Sequence, residues 1–260
     1  MKRIAMFWLA VLVLITAVMA QDDRSRQTGG KPSEAQSKEV PPSVDQILDK
    51  YIKAIGGRAT IERVKTRVIQ ASFVLNDGTP GTLAVYAKAP NKRMAMVSDS
   101  DGHLISEYGF DGSIGWNQRS VSETGFYAVS GQLLASMRRD ADFYREINLR
   151  VLYPRMTSKG KEKIGDHEVY MVEAMPDNGP PEEMYFDVRT GLLARRDEQV
   201  EFPQGSAELK IYFEDYKEVD GIKMPFNITR FGPNGRTLTQ ISEVKQNVPI
   251  EDAKFKQPTQ

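Results

Sequence analysis

Apolar residues recur along this chain with two different periods. Near residue 45 they follow helical spacing, preceded by Ser43 and Gln46 in a capping-box arrangement and followed by Gly56-Gly57. The apolar positions concerned are Val44, Ile47, Leu48, Tyr51, Ile52 and Ile55. This pattern predicts an amphipathic helix at 43–55, and a short second helical segment is expected from Thr60 to near Lys65.

Beyond residue 65 the period changes to two, which is typical of strands. Turn-forming pairs such as Asp77-Gly78, Asp111-Gly112 and Asp220-Gly221 separate the alternating segments. The candidate strands are 66–75, 81–88, 93–99, 103–110, 113–118, 157–164, 168–174, 182–187, 192–202, 207–217, 224–231 and 237–246. So many consecutive strands predict a mainly β fold, a strongly curved antiparallel sheet or barrel, rather than a parallel α/β design.

One helical segment, at 130–145, interrupts the strands. Ser130 stands at the capping position, and Arg138-Arg139-Asp140 lie on the side away from the apolar residues. Such a helix must cover an apolar surface, so we predict that it forms part of a lid over one face of the sheet. The lid residues that we predict are Leu133, Leu134, Met137 and Trp116. Trp116 also fits a second interpretation, packing in the core.

Alternation within the strands indicates which side chains share a face. Leu209, Ile211 and Phe213 alternate with charged and polar residues, so one face of the sheet is apolar and the other is polar. We predict that the apolar face lines a ligand cavity formed by Leu83, Val85, Met94, Met96, Leu209, Ile211, Phe213 and Phe226. A filled core has the same periodicity, so the pattern leaves both readings open.

Composition narrows the possible chemistry. The chain has no cysteine, which excludes thiol nucleophiles, disulfides and thiolate metal sites. His103 and His167 each follow a turn pair and are expected to be exposed, and Glu182 and Glu183 are strand neighbours that should point to opposite faces. We therefore predict no catalytic residue, no metal site and no cofactor. An enzyme is the third and least favoured hypothesis.

Charge argues against a nucleic-acid partner. Basic and acidic residues number 35 each, and removing Lys2 and Arg3 with a leader leaves 33 against 35, a formal charge of −2. Proteins that bind nucleic acid carry a basic excess or stripe instead. We expect a monomer without a nucleic-acid partner.

The first residues have the pattern of a secretory signal peptide. Met1-Lys2-Arg3 is cationic, the next fifteen residues are almost wholly apolar, and Val18-Met19-Ala20 suits cleavage after Ala20. An N-terminal membrane anchor is the alternative, but the apolar stretch is shorter than the ~20 residues that span a bilayer. We expect a signal peptide at 1–20, a flexible polar tether at 21–42 and one domain at 43–260. The mature protein would then be exported to the periplasm.

Several segments of the domain carry a family resemblance. Gly81-Thr82-Leu83-Ala84-Val85-Tyr86, the following Pro90-Asn91, and Asp111-Gly112 with Trp116 resemble motifs of the LolA/LolB-like lipoprotein-carrier superfamily. The segment from Val248 to Phe255 resembles that family's closing segment, and Tyr185-Phe186-Asp187 and Tyr212-Phe213-Glu214-Asp215-Tyr216 look like exported bacterial proteins of the outer-membrane lipoprotein-sorting type. The similarity spans residues 44 to 258.

The resemblance implies an open antiparallel half-barrel of about eleven strands, LolA-like and covered by helices, that holds acyl chains on its apolar side. It also implies a buried arginine that ties the lid to the sheet, for which Arg67 and Arg93 are candidates. The function implied is a periplasmic carrier or binder of a lipophilic ligand, either lipoprotein acyl chains or a free lipid. The alternative is an envelope sensor or protein-interaction module, with an envelope protein as its partner.

Overall fold

The computed structural model describes residues 41–118, 126–202 and 205–258. The predicted signal peptide and almost all of the predicted tether lie outside the described residues. Helix α1, Val44–Ala54, begins at a complete capping box in which Ser43 Oγ accepts from Gln46 N at 3.2 Å and Gln46 Oε1 accepts from Ser43 N at 2.8 Å. Helix α2, Arg58–Glu62, lies slightly earlier than the 60–65 segment expected.

All described strands belong to one antiparallel sheet. Its thirteen strands are β1 Thr66–Val74, β2 Pro80–Lys88, β3 Lys92–Asp99, β4 Leu104–Phe110, β5 Gly115–Gln118, β6 Tyr127–Ala128, β7 Arg155–Ile164, β8 His167–Met175, β9 Glu182–Asp187, β10 Leu193–Phe202, β11 Gly205–Val219, β12 Ile222–Gly232 and β13 Gly235–Gln246. The twelve candidate strands are all present. The short β6 is an additional strand, so the sheet has thirteen strands where the family resemblance implied about eleven.

The order of strands explains why a helical segment interrupts them. Sequential strands are neighbours in two meanders, β1 to β6 and β7 to β13, and the meanders join where β1 pairs with β13. Strands β6 and β7 are therefore the two edges, and the sheet does not close into a barrel. The chain between these edges, residues 129–154, must cross one face of the sheet.

The crossing segment is not the single helix that we predicted at 130–145. It consists of α3, Gly131–Ala141, a 3₁₀ helix, Arg145–Ile147, and α4, Leu149–Leu152. Helix α3 ends because Asp142 has an extended ψ of 111° and Phe143 N donates to Pro90 O at 2.9 Å, which turns the chain onto the sheet. Ser130 occupies the N-cap position, but its side chain makes no capping hydrogen bond.

The two faces of the sheet are covered by different elements. The helix face carries Arg67, Val85, Ile211 and Met184, which successive strand pairs place on one side. Helix α1 packs there over β8 and β9, with the rings of Tyr51 and Phe186 5.3 Å apart. On the outer face, the C-terminal 3₁₀ helix, Asp252–Phe255, packs over Met94 of β3 and Trp116 of β5. In the described part of the chain, no helix is long and apolar enough to cross a membrane.

Candidate functional site

A cavity of about 170 Å³ lies on the helix face, between α1, the 3₁₀ helix after α3 and strands β9 to β12. Most of its wall is apolar. The apolar and aromatic lining residues are Tyr51, Ile55, Ile61, Leu149, Met184, Leu193, Phe213, Tyr216, Ile222, Met224 and Pro225. Tyr51 is 5% exposed in this wall, and burial raises the pKa of its phenol well above the ordinary value.

One side of the same cavity is charged. Arg67, Arg145, Arg196, Glu146 and Lys223 contribute to its lining. Arg145 donates to Asp140 Oδ1 at 3.1 Å and to Tyr153 Oη at 2.7 Å, and Arg196 pairs with Glu198 at 3.1 Å. The cavity is therefore amphipathic, with mainly apolar walls and one side that is mostly cationic.

Glu182 on β9 organises the charged side. Its Oε2 accepts from Tyr153 Oη at 2.7 Å and from Arg145 Nη2 at 3.3 Å, and its Oε1 accepts from Arg139 Nη2 at 3.3 Å. Burial alone lowers the pKa of Arg145, but Tyr153, Asp140 and Glu182 together raise it well above its ordinary value. This network joins α3 and the 3₁₀ helix to the sheet.

Two arginines of the helix face have fewer partners. Arg67 lines the cavity, and its buried Nε makes no hydrogen bond to any described residue. Arg230 on β12 donates to Thr239 Oγ1 at 3.3 Å. Burial lowers the pKa of both guanidinium groups, in the case of Arg67 against the opposing effect of Glu146.

The predicted cavity residues divide between the two faces. Leu83, Val85, Leu209, Ile211 and Phe213 do lie on the helix face. Among the eight predicted residues, Phe213 lines the cavity described above. Val85 and Ile211 are buried at 6% and 3% exposure, and Phe226 packs against Lys217, whose Nζ lies 4.8 Å from the ring.

Met94 and Met96 were wrongly assigned to the same face. The β2–β3 register places Val85 opposite Ala95 and Tyr86 opposite Met94, so both methionines lie on the outer face. Met94 is buried there against Trp116 and Phe255. Strand alternation within β3 gives two internally consistent faces, and only the pairing with β2 decides which of them faces the helices.

Trp116 belongs to the same outer cluster rather than to a lid. It is 0% exposed, and its Nε1 donates to Phe255 O at 2.9 Å. The core-packing interpretation of this residue is therefore the one that the structure supports.

Helix α3 does cover the helix face. A Cβ atom added at Gly115 would lie 2.9 Å from Leu134 Cδ1 and 3.3 Å from Met137 Sδ, so the glycine allows close approach of the helix. Leu133 is 44% exposed and does not share this contact. Arg139, expected on the polar side of the helix, instead turns inward to Glu182.

The histidines lie at hairpins, each beside a carboxylate. His103 Nδ1 is 3.1 Å from Asp99 Oδ2, and His167 Nδ1 is 3.4 Å from Asp187 Oδ2. Their side chains are 78% and 64% exposed. Asp99, Asp101 and His103 are the one group among the described residues with metal-ligand spacing. Asp99 already accepts backbone N–H groups from Asp101 and His103, as hairpin carboxylates commonly do.

Sequence reasoning missed the role of Glu182 and the inward direction of Arg139. Glu182 alternates with Met184 and Phe186 on β9, so a charge at an apolar position was the available signal, whereas the helical pattern gave no such signal for Arg139. Arg67 and Arg93 were the candidates for a buried arginine, and both stand on the helix face, since each is paired with Ala87.

No family model matches the sequence, and no curated protein matches it at a significant level. Solved structures do resemble the fold, among them three with TM-scores of 0.51 to 0.56. A LolA superfamily protein from Nitrosomonas europaea matches with a TM-score of 0.56 at 13% identity, covering 83% of this chain and 98% of that one. A DUF1329 family protein from Desulfovibrio piger matches with a TM-score of 0.55 at 16% identity, covering 82% and 97%.

The third structure is named as an outer membrane lipoprotein-sorting protein domain and comes from Vibrio parahaemolyticus. It matches with a TM-score of 0.51 at 12% identity, covering 74% of this chain and 89% of that one. Identities this low establish similarity of fold alone. The domain from residue 41 onward therefore has a LolA-like fold, an open antiparallel half-barrel with helices over one face.

Proposed function

We propose that this protein is an exported, non-catalytic carrier or binder of a lipophilic ligand in the cell envelope, either lipoprotein acyl chains or a free lipid. The observation that supports this proposal is the mainly apolar cavity between α1 and the sheet of a LolA-like half-barrel. Burial of an acyl chain contributes ~0.8 kcal/mol per methylene. A wall of this composition suits such a ligand.

The size of the cavity implies movement on binding. At about 170 Å³ it is smaller than the ~300–1,000 Å³ of typical ligand pockets. We propose that the crossing segment acts as a lid that shifts to admit a chain, since its Arg145, Glu146 and Leu149 line the cavity while Leu134 and Met137 of α3 approach β5 at Gly115. The buried pair between Arg139 and Glu182 then holds the closed position.

Filling the cavity tests the proposal. Leu193 lines the cavity, and Leu193→Trp should abolish saturable binding of a fluorescent fatty-acyl probe while the circular dichroism spectrum stays unchanged. Leu75→Trp is the matched control, because Leu75 is 41% exposed at the β1–β2 hairpin. If wild type and Leu193→Trp bind the probe equally, the cavity is not the binding site. Native mass spectrometry of protein from its own envelope would identify a co-purifying lipid.

An envelope sensor or protein-interaction module is the second candidate. Val74, Leu75 and Phe231 are each more than 40% exposed near hairpin tips, at 43%, 41% and 45%. The two hairpins concerned are adjacent, since Arg236 N donates to Asn76 Oδ1 at 3.4 Å. Exposed apolar groups of this kind are common at protein contacts. Absence of saturable probe binding by the wild type would favour this candidate.

Export is proposed from the leader pattern. We expect cleavage between Ala20 and Gln21 and a mature protein in the periplasm. N-terminal sequencing of the periplasmic fraction measures this directly. A chain that starts at Met1 and sediments with membranes would show instead that the leader is retained as an anchor.

A further inference from the structure

Of the three arginines that line the cavity, Arg67 alone pairs with no carboxylate of the described residues; Lys223, which also lines it, is exposed. Arg67 stands on β1, opposite Ala87 of β2 and Gln246 of β13, on the helix face. Its guanidinium carbon lies 5.3 Å from the centre of the Phe143 ring, and its Nε is buried without a hydrogen bond to any described residue. A guanidinium has five N–H donors and stays charged in proteins. Arg67 can therefore still accept an anionic partner.

The other two arginines of the cavity also have an Nε without a hydrogen bond, but each is paired with a carboxylate. Arg145 is held by Asp140, Glu182 and Tyr153, and Arg196 by Glu198. Within the described part of the chain, no carboxylate lies at ion-pair distance from Arg67. Only Glu146 among the cavity's lining residues carries a negative charge. An unpaired buried charge is unfavourable, so the site is incomplete as it stands.

Positive charge extends further across the helix face. Arg230 is partly buried on β12 with Thr239 as its hydrogen-bond partner, and desolvation lowers its pKa in the same way as that of Arg67. The pairing of β11 with both β10 and β12 places Arg230 on the same face as Arg196. The covered side of this half-barrel thus carries arginines, together with Glu182 and Glu198, among its apolar side chains.

We propose that the cavity binds an anionic amphiphile, whose carboxylate or phosphate monoester head pairs with Arg67 while its tail lies against Ile55, Leu149 and Met184. This inference rests on the proposed function and narrows it. Acyl groups joined through amide and ester bonds carry no anion at the head, so the site favours a free anionic lipid over the acyl chains of a lipoprotein. Arginine binds carboxylate and phosphate in bidentate geometry, which would also fix the orientation of the head.

Glu146 is the competing charge in this site. It lines the same cavity and acts on the pKa of Arg67, so an incoming anion is repelled by Glu146 while Arg67 attracts it. Removing the carboxylate should therefore favour an anionic ligand without affecting a neutral one. Removing the guanidinium of Arg67 should weaken binding of an anionic ligand without affecting a neutral one.

Ligands matched in chain length test the inference. The measurement is displacement of a neutral fluorescent acyl probe from the mature protein. The competing ligands are myristic acid, myristyl alcohol and a myristoyl lysophosphatidic acid. We expect the two anionic ligands to bind at least tenfold more tightly than the alcohol. Arg67→Gln should remove most of this preference and leave the affinity for the alcohol within twofold. Arg63→Gln is the matched control, because Arg63 is an exposed arginine of the preceding segment.

A second variant keeps the test independent of folding defects at Arg67. Glu146→Gln should strengthen binding of the anionic ligands several-fold and leave the alcohol unchanged. Which of the two anionic ligands binds more tightly distinguishes a carboxylate from a phosphate head, and a preference for either supports the inference.

The possible failures are distinct. If acid and alcohol bind equally to the wild type, or if Glu146→Gln weakens or does not change binding of the acid, the anionic site is wrong while the lipophilic carrier remains. If the wild type binds neither the probe nor any of the three ligands, the proposed function is wrong, and the narrower inference is wrong with it.

Discussion

At the scale of single residues, the helix face is organised by buried charges rather than by apolar side chains alone. Glu182 receives hydrogen bonds from Tyr153, Arg139 and Arg145 and is nearly inaccessible to solvent, with a side-chain exposure of 5%. Buried ionic groups are favourable only when all partners are present. Each member of this network is therefore expected to be sensitive to substitution.

Substitution of Glu182 should show that sensitivity. Glu182→Gln leaves the partly buried Arg139 without its ion pair and Arg145 with Asp140 alone, and we expect the free energy of unfolding to fall by about 3–5 kcal/mol. Urea denaturation followed by circular dichroism measures the change. Glu208→Gln provides the comparison, because Glu208 is half-exposed in a surface pair with Lys210 and should change stability by less than ~1 kcal/mol. Equal effects of the two substitutions would contradict the role given to Glu182.

Ionisation of Glu107 makes the free energy of unfolding depend on pH. It is buried on the outer face, where burial raises its pKa above the ordinary value and Lys254 offsets part of that effect. The folded state therefore holds this proton more tightly than the unfolded state, and stability is lost as pH rises through the folded-state pKa.

The corresponding variant removes the titrating group. Glu107→Gln should raise the melting temperature at pH 7 and have little effect below pH ~4, where the carboxyl group is protonated in both states. Thermal melts of both proteins across this range measure the difference. A stabilisation that is the same at both pH values would show that side-chain packing, rather than ionisation, is responsible.

At the scale of elements, the C-terminal 3₁₀ helix is an integral part of the fold. Phe255 is 0% exposed against Met94 and Trp116, and Asp252 pairs with Lys88 at 2.8 Å and Lys92 at 2.7 Å. These two ion pairs lower the pKa of Asp252 to about 2. The segment thus covers the outer face of β2 to β5 by both apolar and ionic contacts.

Removing the buried ring should detach this element. Phe255→Ala is expected to cost about 3–5 kcal/mol of stability and to shift Trp116 fluorescence to longer wavelength, because the indole loses its cover. The measurement uses protein that lacks residues 1–20, in which Trp116 is the only tryptophan. Lys256→Ala, at the exposed next position, should leave the spectrum unchanged. An unshifted spectrum in Phe255→Ala would mean that the segment does not shield Trp116.

At the scale of the whole molecule, the sheet has a long-range strand pair at its centre and an edge strand on each side. Strands β1 and β13 pair at its middle, although they stand at opposite ends of the domain in sequence. The edges are β7 and the two-residue β6, and the segment between them crosses the helix face. This layout leaves the crossing segment as the part that can move without breaking the central pairing.

Hydrogen exchange should reveal that difference. We expect amides of β1, β2 and β13 to exchange slowest and those of α3 to exchange considerably faster, since local opening of the crossing segment exposes little of the central sheet. Exchange followed by mass spectrometry resolves these peptides. Equal protection of α3 and β1 would argue against the lid. Adding an amphiphile that binds to the protein should selectively slow exchange of the α3 amides.

Local properties of the sequence determined the elements themselves. The capping box at Ser43 and Gln46, the alternation in the strands and the turn pairs depend on residues a few positions apart, so the first helix and twelve strands could be predicted. Most of the misassignments depend on contacts between distant segments. Alternation cannot say which face of β3 meets the helices, so Met94 and Met96 were placed on the wrong side.

Only the tertiary structure decided where the site lies. Arg139 and Glu182 are 43 positions apart, and Arg67 shares a cavity with Arg145 and Arg196 although all three come from different parts of the chain. The pairing of β1 with β13 and the crossing from β6 to β7 bring these groups together. The free energy of a charged side chain depends on its burial and on the charges and hydrogen-bond partners near it in space. The sequence does not give these neighbours, because they come from distant segments.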